Sequence, residues 1–180
     1  MNVVLLSGKA EHGKTSVANI LKEKFEIENK KVLIINFADY LKFIAKTYYG
    51  WNGIKDSLGR ETLQFLGTDL ARKKFPNFWV DAVINVIKLF DDIFDYFIIG
   101  DCRFVNELTC FKEENMSTIS IRVIRLNYEN SLTKKQRLHL SETSLDNFNF
   151  DYMIESESGL DKLEIEVDKF LQNIDMKGSK

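Results

Sequence analysis

Little in this sequence points to an unusual environment. Among 180 residues there are two cysteines, two histidines and one proline, and 25 basic against 27 acidic side chains leave a net charge of −2. So balanced a chain has no strong field to draw polymeric nucleic acid or an anionic membrane surface. No apolar run approaches the length that spans a bilayer. The amino terminus lacks the basic-then-apolar pattern of a secretory leader, and "MNVVLLSG" reads as a strand instead. Cys102 and Cys110 have no metal-ligand spacing and are expected as reduced thiols of a cytoplasmic protein. There is no internal repeat, no low-complexity segment and no linker that would divide the chain. Residues 1–174 therefore read as one domain, followed by a polar tail, 175–180, expected to fray. What the chain does have is aromatics, 14 Phe and 6 Tyr, which suit a well-filled core or a pocket that stacks on something flat.

Five stretches read as strands: residues 2–7, 31–37, 96–100, 118–126 and 150–155. The first three carry near-continuous apolar cores, "VVLL", "VLII" and "FII", the pattern of strands covered on both faces. Helical periodicity fills the gaps. Val17, Ile20, Leu21 and Phe25 share a face, as do Phe78, Ala82, Val86 and Phe90, and later Leu160, Leu163, Val167, Phe170 and Ile174. Strands alternating with helices predict an α/β fold, a doubly wound sheet of about five parallel strands with helices on both sides. The polar stretch 127–144 falls outside that pattern and reads as a small lid-like insertion.

The first strand runs into "GKAEHGKTS". Gly8, Gly13, Lys14 and Thr15 fit G-x-x-x-x-G-K-[ST] at every fixed position, and the strand before and helix after are the context that pattern requires. Glycines let the backbone curl so that N–H groups point inward at phosphate oxygens, and the following helix adds its positive end. Lys14 is placed to bridge the β- and γ-phosphates, and the Thr15 hydroxyl to ligate Mg²⁺. A turn that merely joins strand to helix explains neither residue. Such a loop is shared by GTPases, motor ATPases and small-molecule kinases, so the rest of the chain must decide.

Three segments bear on the choice. "FADYLKFIAK" is a strand end entering a helix, with Lys42 one turn in. "GRETLQFLGTDLAR" puts Arg60, Gln64 and Thr68 at i, i+4 and i+8 beside an apolar face of Leu63, Leu66 and Leu70. That polar face reads either as a grip on a second anion or as solvated surface. "DCRFVNE" follows the apolar "YFIIG", so Asp101 stands at the carboxyl end of a buried strand, where a carboxylate of a Mg²⁺ shell sits in such sheets, with Arg103 two residues on.

These segments, together with "HLSE" and "DYMIESESGLDKL", resemble the deoxynucleoside monophosphate kinases of the phage type, within the P-loop nucleoside-monophosphate kinase superfamily. The resemblance covers most of the chain. It implies ATP and a deoxynucleoside monophosphate as substrates, Mg²⁺ as cofactor, no polymeric nucleic acid and no membrane as partner, and, for a phage-encoded chain, the host cytoplasm. A homodimer is left open. For ATP it implies Gly8, Glu11, His12, Gly13, Lys14, Thr15 and Ser16, with Ser156 and Gly159 beside the adenine, although "ESESG" replaces the more usual asparagine-containing turn there. For the acceptor it implies Lys9, Phe37, Lys42, Arg60, Gln64, Thr68, Trp79, Asp101, Arg103 and Glu107. The metal falls to Thr15 and Asp101, and catalysis to Lys14, Arg103 and a lid arginine, Arg137, with Arg125 as the other candidate. Trp79 fits either a wall against the base or the core. "LSETSLDNFNFDYMIES" also resembles the phosphomevalonate kinase of animals, which makes a small phosphorylated acceptor the alternative. A P-loop sensor or assembly ATPase is the reading from another class; it calls for an exposed apolar patch or heptad seam, and the sequence shows neither clearly.

Overall fold

A computed structural model describes the backbone of residues 2–178 and the side chains of residues 2–174. Five parallel strands form one sheet: β1 (Asn2–Ser7), β2 (Val32–Ile35), β3 (Tyr96–Cys102), β4 (Ser117–Arg125) and β5 (Tyr152–Ser156), in the order β2-β3-β1-β4-β5. Eight α-helices accompany them among the described residues: α1 (Lys14–Ile27), α2 (Phe37–Tyr48), α3 (Ser57–Gln64), α4 (Phe78–Leu89), α5 (Asn106–Glu113), α6 (Lys134–Arg137), α7 (Leu140–Thr143) and α8 (Leu160–Gly178).

The alternation of strand side chains divides the core in two. Val3, Leu5, Phe97 and Ile99 face one layer, where Trp79, Val80, Val83, Ile87 and Phe111 from α4 and α5 cover them. Val4, Leu6, Ile98 and Val123 face the other, covered by Val17, Leu21 and Phe25 of α1 and Val167 and Phe170 of α8. Central strands buried on both faces explain the continuous apolar runs. β1 lies between β3 and β4, and chain direction from β1 to β2 crosses over β3. A crevice therefore opens at the carboxyl ends of β1 and β3, the place where doubly wound sheets bind ligands.

Several expected boundaries shift for identifiable reasons. β2 stops at Ile35 because Asn36 and Asp39 begin a helix: the Asp39 carboxylate accepts from the Asn36 backbone N–H at 3.1 Å and from Asn36 Nδ2 at 3.0 Å. Phe37 is thus the first residue of α2, not the last of a strand. In α4 the buried face is Trp79, Val80, Val83, Ile84 and Ile87, while Phe78 is exposed. Its sequence is apolar nearly all round, so periodicity alone misplaced the stripe. Leu160 of α8 is exposed, whereas Leu163, Val167 and Phe170 are buried as expected. The backbone of α8 continues to Gly178; of the tail expected to fray, residues 179–180 lie outside the described residues.

The expected helix over 59–72 divides. α3 ends at Gln64, and Phe65–Arg72 is a π-helix. In an α-helix each four-residue step overshoots a full turn by about 40°. Wider π turns, with i→i+5 bonds, fall short of a full turn over four residues and bring the drift back. Arg60, Gln64, Thr68 and also Arg72 consequently stay on one side and line the same cavity. Leu63 lines that cavity too and Leu70 is exposed, so the expected apolar face reduces to Leu66.

Candidate active site

The loop between β1 and α1 is built on two glycines. Gly8 has φ 155°, and a Cβ there would lie 2.4 Å from the Val123 carbonyl oxygen of β4. Gly13 has φ 91° and starts α1 in the left-handed region. Lys14 folds back over this loop, its Nζ donating to the Gly8 and Lys9 carbonyls at 2.8 Å each. Burial and the nearby Arg103 push the Lys14 ammonium down to about 7.

In front of the loop lies a cavity of about 500 Å³, within the range of small-molecule sites. Its walls come from the phosphate loop, the start of α2, the α3–π-helix face, the residues after β3 and the lid segment at α7. Of the residues expected for the acceptor, Phe37, Lys42, Arg60, Gln64, Thr68, Trp79, Asp101, Arg103 and Glu107 all line it, as do Glu11, Lys14 and Thr15 from the ATP set. Trp79 meets both expectations at once: it is 4% exposed in the core, its Nε1 donates to the Gly67 carbonyl at 2.9 Å, and it also borders the cavity.

Several side chains do work that the sequence did not disclose. Asp101 caps α2: its two carboxylate oxygens accept from the Phe37 and Ala38 backbone N–H groups, each at 2.9 Å. Burial pushes this carboxyl upward, and those two amides pull it back. Glu107, 1% exposed, accepts from the Arg103 and Phe104 backbone N–H groups and pairs with Arg72. Burial lifts Glu107 to about 7 against the pull of Arg72. The Arg72 guanidinium also lies 4.1 Å over the Phe104 ring. Glu107 therefore shapes the turn after β3 through backbone amides and holds Arg72 within the wall. Lys42 pairs with Asp39 at 2.9 Å.

The lid-like stretch contains α6 and α7 and packs on the phosphate loop. Glu11, at a left-handed φ of 66°, accepts from Ser131 Oγ at 2.5 Å, Ser131 N at 3.0 Å, Tyr128 OH at 2.9 Å and Arg60 Nη2 at 3.0 Å. The Ser131 hydrogen bonds hold its carboxyl down to about 2. Gln136 of α6 is buried and reaches Ser57 of α3.

Other expected residues lie elsewhere. Lys9 is not among the residues lining the cavity, and its ammonium is taken by Asp146 and the Glu142 carbonyl. Arg137, expected at the reaction centre, donates instead to the Leu132 carbonyl at 2.9 Å and the Asn130 carbonyl at 3.1 Å and pairs with Glu129; its guanidinium holds the lid loop together. His12 Nδ1 accepts from Arg125 N at 3.1 Å. Ser16, Ser156 and Gly159 are also outside the cavity lining. Ser156 ends β5, and Gly159 precedes α8, whose Leu163 packs beside Gly13. Arg125 spans this side, 4.0 Å over the Tyr128 ring and 2.9 Å from Ser158 Oγ. Lys55, Arg72, Phe104 and Glu142 line the cavity without having been expected. Glu142 lies in "HLSE" and Arg72 ends "GRETLQFLGTDLAR", but neither side chain was singled out there; Lys55 stands in a segment with no motif.

A family model described as deoxynucleotide monophosphate kinase matches residues 27–167. The chain belongs to this family. It is an ATP-dependent kinase of deoxynucleotide monophosphates, and neither the phosphomevalonate nor the sensor alternative gains comparable support. The phosphate loop precedes the matched segment, so it rests on its own pattern and geometry. No curated protein matches the sequence. Among solved structures, the Mycobacterium tuberculosis APS kinase CysC in complex with AMPPNP and APS aligns with TM-score 0.50 and 12% identity over 95% of this chain and 97% of that one. A point mutant of the same enzyme gives TM-score 0.48 and 13% identity, covering 95% and 96%. At such identity the likeness shows the kinase fold alone. No helix among the described residues is long and apolar enough to cross a membrane.

Proposed function

We propose that this kinase passes the γ-phosphoryl group of ATP to the phosphate of a deoxynucleoside monophosphate held between Arg60 and Arg103. The supporting observation is that Lys14, Arg60 and Arg103, from three separate chain segments, line one cavity in front of the phosphate loop. An acceptor phosphate oxygen attacks the γ-phosphorus, the bond to the β-phosphate bridging oxygen breaks, and ADP leaves. That oxygen is already anionic at neutral pH, so no general base is needed. The protein's work is to hold two anions in line and to compensate charge. Lys14 does this on the donor side and the two arginines on the acceptor side, while the part of the lid held by Glu11 and by the Gln136–Ser57 contact keeps water out. Gln64, Thr68 and the Trp79 edge border the base.

Mg²⁺ fits the oxygen donors here. The Thr15 hydroxyl lines the cavity beside Lys14 and is placed to ligate directly. Both Asp101 oxygens already serve α2, so that carboxylate suits a water of the metal's shell. The described residues hold no cluster of three or more His, Cys, Asp or Glu that could hold a metal ion. When bound, it supplies charge neutralisation between the β- and γ-phosphates.

Steady-state kinetics of Arg60→Ala and Arg103→Ala test the assignment. Charge-assisted bonds to a phosphate are worth about 1.5–3 kcal/mol, so acceptor use should weaken roughly tenfold to a hundredfold. ATP binding without acceptor should hardly change in Arg60→Ala. Equal losses for both substrates would move the arginines off the acceptor side.

A further inference from the structure

The lid carboxylate of Glu142 sits among phosphate-binding groups. Its Oε1 is 2.7 Å from Arg103 Nη1, and its Oε2 accepts from the Ala10 backbone N–H of the phosphate loop at 3.1 Å. Its side chain is 8% exposed, and its charge acts on Lys14. α7 is anchored in this place from behind, because Lys9 donates to the Glu142 carbonyl. One carboxylate therefore engages a loop amide and the acceptor-side arginine beside the donor-side lysine. Those are the donors that the reaction needs around the group in transfer. A γ-phosphate and a carboxylate cannot share such a position, since like charges in a partly desolvated site repel strongly.

We infer that Glu142 is a stand-in for phosphate: in the ligand-free enzyme its carboxylate fills the seat of the transferred group, and the incoming nucleotide must expel it. While seated, it satisfies the Ala10 amide and neutralises Arg103, whose Nη1 otherwise has only the Ser141 carbonyl at 3.4 Å. Its expulsion couples nucleotide binding to movement of α7. ATP affinity is consequently set below what the loop alone would give. The inference rests on the proposed kinase chemistry only for the identity of the phosphate group.

Calorimetric titration of a Mg²⁺-complexed, non-hydrolysable ATP analogue into wild type and Glu142→Gln tests this. The amide keeps the shape and loses the charge, so the variant should bind the analogue about tenfold more tightly or better, and KM for ATP should fall. Unchanged or weaker binding, or a fall in kcat at constant KM, would overturn the inference, and the fall in kcat would make Glu142 a positioning residue for Arg103. Hydrogen exchange of the wild type gives a reading that does not depend on the variant folding. Leu140–Thr143 should exchange faster once the analogue is bound; equal or slower exchange overturns the inference. A chain that binds the analogue but transfers nothing to any deoxynucleoside monophosphate would sink the proposed function and leave this comparison readable.

Discussion

Lys14 gives the site a proton count that can be measured. Without nucleotide, burial and the nearby Arg103 and Arg122 lower its pKa to about 7, although its Nζ donates to two carbonyls. A bound triphosphate surrounds it with negative charge and restores the charged form. At pH 7 about half of the free enzyme has lost this proton, and at pH 8 about nine-tenths has, so binding takes up roughly 0.5 and 0.9 proton. The sign follows from the shift: a pKa raised by binding makes affinity fall as pH rises above the free-enzyme value. From pH 7 to pH 8 the dissociation constant should rise roughly fivefold. Titrations in two buffers of different ionisation enthalpy report the uptake directly, with saturating Mg²⁺ to keep the nucleotide ionised. Lys14→Arg, which cannot deprotonate in this range, supplies the baseline. Affinity flat from pH 6 to 8.5, with no buffer-dependent heat beyond that of Lys14→Arg, would refute the reasoning.

Three further outcomes are expected. Gly8→Ala should cost about 2 kcal/mol or more, because its Cβ meets the Val123 carbonyl at 2.4 Å and φ 155° strains any side chain; an unchanged Tm would contradict this. Glu107→Ala leaves the buried Arg72 charge and two backbone amides unpaired and should destabilise the chain by about 3–5 kcal/mol, with Glu107→Gln milder; denaturant unfolding reads both. Chelation of Mg²⁺ should abolish turnover and re-addition restore it, while Asp101→Asn should disturb the start of α2 as well as the metal dependence; helix content unaltered in that variant would count against the capping role.

The strands and the phosphate loop were legible because their signals are local: an apolar run between turns, and a fixed spacing of Gly, Lys and Thr. Arg60 and Arg103 could be expected near one another because a doubly wound sheet brings loops to one crevice. What stayed hidden depends partly on partners distant in sequence and partly on local backbone geometry that no residue pattern reports. Arg72 reaches the cavity only through a π-helix that no residue pattern announces. Lys9 and Arg137 carry the right charge, but Asp146 and the lid carbonyls claim them. Asp101 was expected to meet a metal or substrate, and it first serves two amides of α2, a role visible only when β3 and α2 are side by side. In α4, apolar residues nearly all round erase the periodicity that would have identified its buried face.

The central claim is tested most directly by following products rather than ADP alone. Wild-type enzyme with Mg²⁺ and ATP should be offered each deoxynucleoside and ribonucleoside monophosphate in turn, and the nucleotides and inorganic phosphate separated and quantified. The account predicts ADP and a deoxynucleoside diphosphate formed in equal amounts with at least one deoxynucleotide, and little free phosphate. ADP matched by inorganic phosphate, at a rate indifferent to every acceptor, would contradict it.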